Sequence, residues 1–370
     1  AKWGTPDPVP GATVYIPSGT VMPFTQGVSC TQCGGDVTGN PIATATTGVD
    51  GKFTLTNVPC GANIQVPLVI QMGRWRRPVM IPAPACSSST ALTTAQTRLP
   101  RNQTEGDIPK IAVVTGSADP MECILPKIGI DTTEMTNPNG TGRINFYRAN
   151  GNRIDANTPA DTVLWGDLAQ MKKYDLIILD CEGNAYDKSA YYNNIINYTS
   201  SGGRIYLSHF GYSFLHGQKQ NPPPALNTAW DPTATWAWGA GDPPNQNATI
   251  DQTFARGVTF ATWLYNVTAM AQPLGTVAVQ TLRNNMTAIN ATLGQQWMYG
   301  TTNGRANGTK IPLHYTCNRL PAVVDGDGRR AGGGGPAGVP RLTVGGAPRG
   351  LGMVAGTGPM RGPGLRVGPA

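Results

Sequence analysis

Residues 47–61 read TGVDGKFTLTNVPCG and carry the clearest structural pattern in this chain of 370 residues. Asp50 and Gly51 predict a tight turn, because Gly takes a positive φ without steric cost. After the turn, Phe53 and Leu55 alternate with polar residues, as in a strand with one buried face. The stretch therefore predicts a turn followed by a half-buried β-strand.

A second stretch upstream, residues 8–16, reads PVPGATVYI and has the same alternation. Together the two stretches carry the motifs P-V-x-G-A-x-V and T-x-x-D-G-x-F-x-L-x-x-V-P-x-G. They resemble the carboxypeptidase regulatory-like family, whose domains are transthyretin-like β-sandwiches. The resemblance implies such a sandwich over residues 1–100, and modules of this kind usually connect, bind or support a neighbouring domain.

The four cysteines of residues 1–100 predict either disulfides or a structural zinc site. In an oxidising compartment they would form two disulfides, in one of three pairings. In a reducing compartment the same four thiols could hold zinc. Only 13% of the chain is charged, and its body is rich in Asn and Thr, as is common in exported bacterial proteins. We therefore expect a secreted or cell-envelope location. In such a compartment the cysteines expected to form disulfides are Cys30, Cys33, Cys60 and Cys86.

The net charge of +7 does not predict a nucleic-acid partner. Residues 321–370 hold six Arg and two Asp, which is more than half of that excess. The dense cluster at residues 74–77 (RWRR) predicts an outer strand with Arg facing water and Trp75 facing the core; stacking on bases or sugars is the alternative. No run of residues approaches the roughly 20 apolar residues of a membrane-spanning helix.

Residues 321–370 differ in kind from the rest of the chain. They contain sixteen Gly and lack Asn, Lys, Phe, Tyr and Trp. Such a segment buries too little apolar area to offset its ordering entropy. We expect a disordered, low-complexity Gly/Arg/Pro tail. The abrupt change in composition suggests a frameshifted reading, and a natural RNA-binding Gly/Arg tail is the alternative.

Beyond residue 108 the pattern changes to that of buried parallel strands. Residues 111–116 (IAVVTG) form a continuous apolar run, typical of a strand buried on both faces. Residues 174–179 (YDLIIL), a helix from Asp187 and a strand at residues 204–209 predict a βαβ unit. The sequence thus predicts an α/β domain with a parallel sheet.

These strand motifs, with Gly202 and Gly203 before the last of them, resemble the class I glutamine amidotransferase-like group and its ThuA-like branch. The resemblance implies a flavodoxin-like domain over residues 109–320, after a linker at residues 101–108. The fold class expected for the whole chain is a β-sandwich followed by this α/β domain.

In an open parallel sheet, ligands bind beyond the carboxyl ends of the strands. Here those ends present a thiol, two carboxylates and an imidazole, so nucleophilic or acid–base chemistry is conceivable. The candidate catalytic residues are Cys181, Glu182 and His209. The candidate ligand-binding residues are Ser117, Asp180, Asn184 and Ser208.

The amidotransferase resemblance implies a Cys nucleophile on a sharp turn flanked by small residues. The corresponding residues 207–211 read LSHFG, so His209 stands where the nucleophile belongs and Leu207 replaces the first small residue. We expect no amidotransferase activity. For Cys181, a hydrolytic role with His209 and a buried structural role both remain open.

A metal ion at Asp180, Glu182 and His209 is a further alternative. The body of the chain lacks the spacing of established metal motifs, so neither a metal nor another cofactor is predicted.

The sequence favours an exported binding or structural protein with a glycan or peptide ligand. The alternative is a hydrolase of carbohydrate or amide substrates. An open crevice at the carboxyl ends of the strands would favour the hydrolase, whereas a crevice filled by Phe210 or Tyr212 would not.

Overall fold

The computed structural model describes most of the chain between residues 7 and 318, and five backbone positions beyond. No helix among the described residues combines the length and apolar character that a membrane crossing requires. The described ranges are 7–28, 37–218, 225–237, 243–267, 274–280, 282–283, 285–301, 310–318 and, for the backbone, 352–356.

The N-terminal region contains a four-stranded antiparallel sheet with the strand order β2-β1-β3-β4. Its core consists of aliphatic side chains from β1 and β3, among them Val14, Ile16, Leu68 and Ile70. A disulfide joins Cys60 to Cys86. The strands are β1 (Thr13–Pro17), β2 (Pro41–Thr46), β3 (Gln65–Met72) and β4 (Trp75–Pro82).

The disulfide uses two of the four thiols that the zinc alternative requires, so the four-cysteine zinc site is excluded. Cys30 and Cys33 lie outside the described residues. The specific transthyretin-like fold remains a prediction, because the described residues form one antiparallel sheet in this region rather than two.

The turn predicted at residues 50–51 forms, and Gly51 has a φ of +71°. The strand expected after it does not form. Phe53 and Leu55 are half-buried and pack against the sheet core, while the intervening polar residues are exposed. The alternation thus describes which side chains face the core, but residues 52–56 are irregular and pair with no strand of the described residues.

The prediction that the Arg side chains of the RWRR cluster face water is wrong for Arg76. Its side chain is buried between the sheet and the linker, where it forms a 2.8 Å ion pair with Asp107. Its guanidinium carbon also lies 4.0 Å from the centre of the Phe24 ring. The cluster therefore belongs to the junction between the sheet and the following domain rather than to an outer face.

Among the described residues, the second sheet has ten strands, and its parallel strands occupy one end. Its parallel strands occur in the order β9-β8-β5-β7-β6. Every residue of β5 is buried, as the continuous apolar run predicts. These strands are β5 (Ile111–Thr115), β6 (Met135–Thr136), β7 (Ile144–Arg148), β8 (Leu176–Leu179) and β9 (Arg204–Ser208).

Helices pack beside this parallel part. The helix expected from Asp187 begins as a 3₁₀ turn, Ser189–Tyr191, and continues as an α-helix that buries Ile195 and Tyr198. The last α-helix buries Ala261, while Val258 and Tyr265 on the same helix are exposed. The α-helices are α1 (Thr94–Thr97), α2 (Ile124–Lys127), α3 (Asp161–Trp165), α4 (Leu168–Met171), α5 (Tyr192–Ser200) and α6 (Ala255–Asn266).

Antiparallel strands extend the sheet beyond β9, in the order β12-β11-β14-β15. A small separate sheet pairs β10 with β13. The strands are β10 (Ala234–Trp236), β11 (Gln246–Ile250), β12 (Thr276–Val279), β13 (Met286–Ile289), β14 (Gly294–Gly300), β15 (Ile311–Asn318) and β16 (Gly352–Gly356).

The backbone of β16 lies between β15 and β9, parallel to β9. The expectation of a tail without regular structure is therefore wrong for these five residues. Their sequence, GMVAG, is a short apolar run bounded by Gly, and composition taken over fifty residues hides so brief a run. The rest of residues 321–370 lies outside the described residues.

The two regions contact each other through half-buried polar groups. Arg74, in the turn between β3 and β4, forms a 3.0 Å ion pair with Asp175 at the start of β8. The backbone N–H of Val28 donates a 2.9 Å hydrogen bond to the carbonyl of Lys172. The indole N–H of Trp263 donates to the carbonyl of Pro8 at 2.8 Å.

Candidate functional site

The carboxyl ends of β5, β7 and β8 approach each other closely because two glycines allow it. A Cβ atom on Gly116 would collide with the carbonyl group of Cys181, and one on Gly151 would collide with the backbone of Gly116. The backbone N–H of Ala118 donates a 3.0 Å hydrogen bond to the carbonyl of Cys181. The strand ends thus form one tightly packed edge.

Cys181 and His209 meet at this edge. The Sγ atom lies 3.5 Å from Nδ1 of His209, and the two residues are 2% and 5% exposed. Burial raises the pKa of the Cys181 thiol. The Phe210 ring centre lies 3.9 Å from that of His209, and the Tyr212 ring lies 6.5 Å away. The pair has the spacing of a nucleophile and its base. However, both residues are buried, and the raised pKa of the thiol lowers the fraction of the reactive thiolate.

Asp119 fixes the backbone around this pair. One of its oxygens accepts a hydrogen bond from the backbone N–H of Cys181, and the other accepts one from the hydroxyl of Ser208. Burial raises the pKa of Asp119, although both hydrogen bonds oppose the shift. Asp119 therefore ties the ends of β8 and β9 together.

An open cleft of about 370 Å³ lies on the other side of the β8 end. At its base, Nζ of Lys188 lies 2.7 Å from Oε1 of Glu182 and 3.3 Å from Oδ2 of Asp161. We call this the Lys188 cleft. It is lined by Ala149, Asn150, Asp161, Thr162, Glu182, Tyr186, Asp187, Lys188 and Tyr191.

The charges at the base of the Lys188 cleft balance each other only in part. Burial raises the pKa of Glu182, and Lys188 opposes that shift. Burial alone would lower the pKa of Lys188, but Glu182 and Asp161 together raise it above its ordinary value. Lys188 is therefore held as a buried ammonium group between two carboxylates.

The remaining candidates take separate positions. Asp180 is fully buried. The Ser117 hydroxyl donates a 3.2 Å hydrogen bond to the carbonyl of Glu182. Asn184 is exposed, and its side chain accepts a 2.9 Å hydrogen bond from the N–H of Ala185. Of the seven predicted site residues, only Glu182 lines the Lys188 cleft.

Sequence reasoning missed the partners of Glu182 in this cleft. Lys188 follows β8 by nine positions, and Asp161 begins α3, where no motif marks it. Asn150 follows β7, a strand that no sequence pattern predicted. Its side chain donates a 2.6 Å hydrogen bond to the carbonyl of Glu182. The only available signal was the general rule that residues after parallel strands converge at one edge.

Within the described part of the chain, no group of three or more His, Cys, Asp or Glu side chains is arranged to hold a metal ion. The three residues considered for a metal, Asp180, Glu182 and His209, do not form such a group. Glu182 pairs with Lys188, while His209 lies beside Cys181.

No protein-family model matches this chain, and no curated protein matches it. A solved structure of a ThuA-like protein from Bacteroides uniformis is similar at 11% sequence identity. The alignment covers 56% of this chain and 77% of that chain, with a TM-score of 0.33. A score of that size does not establish a shared fold.

Proposed function

We propose that this chain is an exported or cell-envelope binding protein and that it binds a glycan in the Lys188 cleft. The observation that carries the proposal is the contrast between this open, polar cleft and the closed Cys181–His209 pair. The Cys60–Cys86 disulfide and the low content of charged residues support an extracytoplasmic location.

The lining of the cleft suits a sugar. Carboxylate, amide, hydroxyl and ammonium groups lie within one concave surface, as recognition of several hydroxyl groups requires. Tyr186 and Tyr191 add two aromatic rings, and an aromatic face can pack against the apolar face of a pyranose. Tyr186 is 44% exposed, so its ring is available to a ligand without rearrangement of the core.

The α/β domain is, on this proposal, a degenerate relative of the amidotransferase-like group. The residue at the expected nucleophile position, His209, is buried beneath Phe210 and Tyr212. An imidazole that is only 5% exposed cannot reach a substrate carbonyl. Binding is therefore better supported than acyl transfer.

A hydrolase is the second candidate, and one observation favours it. The 3.5 Å distance between Sγ of Cys181 and Nδ1 of His209 is within reach of proton transfer after a small closure. This function requires Phe210 and Tyr212 to move away from the pair. Loss of turnover in both Cys181→Ser and His209→Gln would support it.

The test is a glycan array probed with the full chain, followed by calorimetry on the bound sugars. We expect Tyr186→Ala to weaken binding by roughly tenfold, the loss of about 1.4 kcal/mol expected for one stacking ring. Tyr265→Ala is the matched control, because Tyr265 is 45% exposed but lies on α6, outside the cleft.

Equal affinity for the two variants, or no sugar bound by the unaltered chain, would reject the glycan site. Binding of peptides in place of sugars, with the same dependence on Tyr186, would keep the cleft as the site and change its ligand class. Turnover of the bound sugar or of an amide would favour the hydrolase.

A further inference from the structure

The Lys188 cleft carries more negative than positive charge. Its volume of about 370 Å³ lies in the range of small-ligand pockets. Three carboxylates line it, and Lys188 is the only cation among the described residues of the lining, which leaves a net charge of −2. The sign of the charge does not depend on Glu182, because Asp161 and Asp187 alone outnumber Lys188.

The ammonium group of Lys188 is already engaged by the protein. Its Nζ atom lies 2.7 Å from Oε1 of Glu182 and 3.3 Å from Oδ2 of Asp161, and the residue is 6% exposed. An ammonium group has three N–H donors, so one at most is left for a ligand. An anionic sugar would therefore have to compete with two carboxylates that are already in contact with this cation.

The groups that a ligand can reach in the cleft are mainly acceptors. Asp187 is exposed, and its Oδ1 atom accepts a 2.9 Å hydrogen bond from the backbone N–H of Ser189. The amide nitrogen of Asn150, in contrast, donates to the carbonyl of Glu182 at 2.6 Å. A ligand that brings a positive charge and N–H donors fits this surface better than a neutral or acidic ligand.

We propose that the sugar of the Lys188 cleft is an amino sugar with a free, protonated amine, an inference that rests on the glycan site proposed above. The ammonium group of the sugar pairs with the carboxylates of Asp161 and Asp187, while the apolar face of its ring packs on Tyr186. The face of the Tyr186 ring also attracts a cation, and Nζ of Lys188 lies 6.0 Å from its centre.

The charge of the whole chain opposes this preference and makes it diagnostic. The chain carries a net charge of +7, so non-specific attraction favours polyanions. A preference for a cationic sugar must therefore come from a local negative surface. An N-acetylated sugar of the same length keeps the ring and loses the charge, so a comparison of the two isolates the contribution of the amine.

The test is calorimetry of the full chain with two glucosamine oligomers of equal length, one with free amines and one fully N-acetylated. The measurement is made at about pH 6, where a free amine carries its proton. We expect the free-amine oligomer to bind about tenfold more tightly at low salt. Most of this preference should disappear at about 1 M salt, where the screening length falls to about 3 Å.

The variant Asp187→Asn should lower the preference for the free amine severalfold, because it removes a charge and keeps an oxygen that can accept from Ser189. Asp167→Asn is the matched control. Asp167 is also exposed, and its Oδ1 atom accepts a 2.8 Å hydrogen bond from the N–H of Ala169, but it lies outside the cleft, before α4. This control should retain the full preference.

Equal affinity for the two oligomers, with binding that still depends on Tyr186, would overturn the amino-sugar inference and leave the glycan site intact. An unchanged preference in Asp187→Asn would also overturn it. Tighter binding of a lysine tripeptide than of the free-amine oligomer would do the same, because the cleft would then select charge without a sugar. Failure of every glycan to bind would reject the glycan site itself, and the inference with it.

Discussion

The side chains of Cys181 and Glu182, neighbours at the end of β8, enter opposite environments. Cys181 lies in a closed pocket with His209 beneath aromatic rings, whereas Glu182 lies at the base of an open cleft beside Lys188. Successive residues of an extended chain point to opposite sides. A cluster that looks like one site in the sequence is therefore divided by the backbone into a closed side and an open side.

The largest effect should come from the open side, in Lys188→Met. This change leaves Glu182 and Asp161 buried without their cation, which costs about 3–5 kcal/mol of unfolding free energy, measured by urea denaturation. The contribution of Lys188 to the free energy of unfolding is fully present below its ordinary pKa of 10.5. This contribution is lost as the pH rises through the higher pKa of Lys188 in the folded state.

The matched control is Lys52→Met, because the ion pair between Lys52 and Asp50 is exposed. We expect no measurable change in unfolding free energy there. If Lys188→Met were as mild as this control, water would have to reach both carboxylates, and the cleft would be more hydrated than its geometry indicates.

A smaller effect should follow from Gly116→Ala, which tests the packing that closes the Cys181 side. The added methyl group meets the backbone of Cys181, and overpacking of this kind costs about 1–3 kcal/mol. Gly19→Ala is the control, since its added Cβ would lie 3.7 Å from the nearest atom, the carbonyl oxygen of Gly39. Thermal unfolding of both variants tests this prediction, and we expect a lower Tm for Gly116→Ala. Equal Tm values would contradict the close packing at Gly116.

The chemical difference between the two sides can be measured on the unaltered chain with iodoacetamide. Cys123 is exposed, whereas Cys181 is buried and has a raised pKa. We expect Cys123 to react at least about tenfold faster, because burial keeps the reagent from Cys181 and also lowers its thiolate fraction. Peptide mass spectrometry gives both rates from one sample, and similar rates would mean that Cys181 is open to solvent.

The smallest effect should appear in Phe210→Ala, which removes the ring that covers His209. Alkylation of Cys181 should accelerate severalfold, because the reagent gains a path to the thiol. Phe254→Ala removes a half-buried ring that packs on Trp297, and it should leave the rate unchanged. New hydrolytic activity in Phe210→Ala would shift the balance towards the hydrolase.

Much of the parallel sheet could be predicted from the sequence, because continuous apolar runs such as β5 fit only a strand buried on both faces. β7 was missed because its apolar residues are interrupted by Asn145, which is buried and donates a hydrogen bond to the carbonyl of Gly142 at 3.1 Å. A polar residue satisfied by a local backbone contact cannot be distinguished from an exposed one by pattern alone.

The strand predicted after Asp50 failed for a different reason. Alternation of Phe53 and Leu55 determines which side chains face the core, but a strand also needs an adjacent edge with free N–H and C=O groups. For the candidate site, the strand-end rule located Cys181, Glu182 and His209. It could not supply Lys188 or Asp161, since their approach depends on loops and helices with no recognisable motif.

The ion pair between Arg74 and Asp175 bears on how this chain could be inherited. Burial is the largest influence on the pKa of Asp175 and raises it, while Arg74, from the other region, is the first of the groups that oppose the shift. Recombination that replaced the N-terminal sheet with an unrelated module would remove Arg74. Asp175 would then lie against a different surface without this guanidinium. We therefore expect the two regions to descend together, with Arg74 and Asp175 substituted as a pair or not at all.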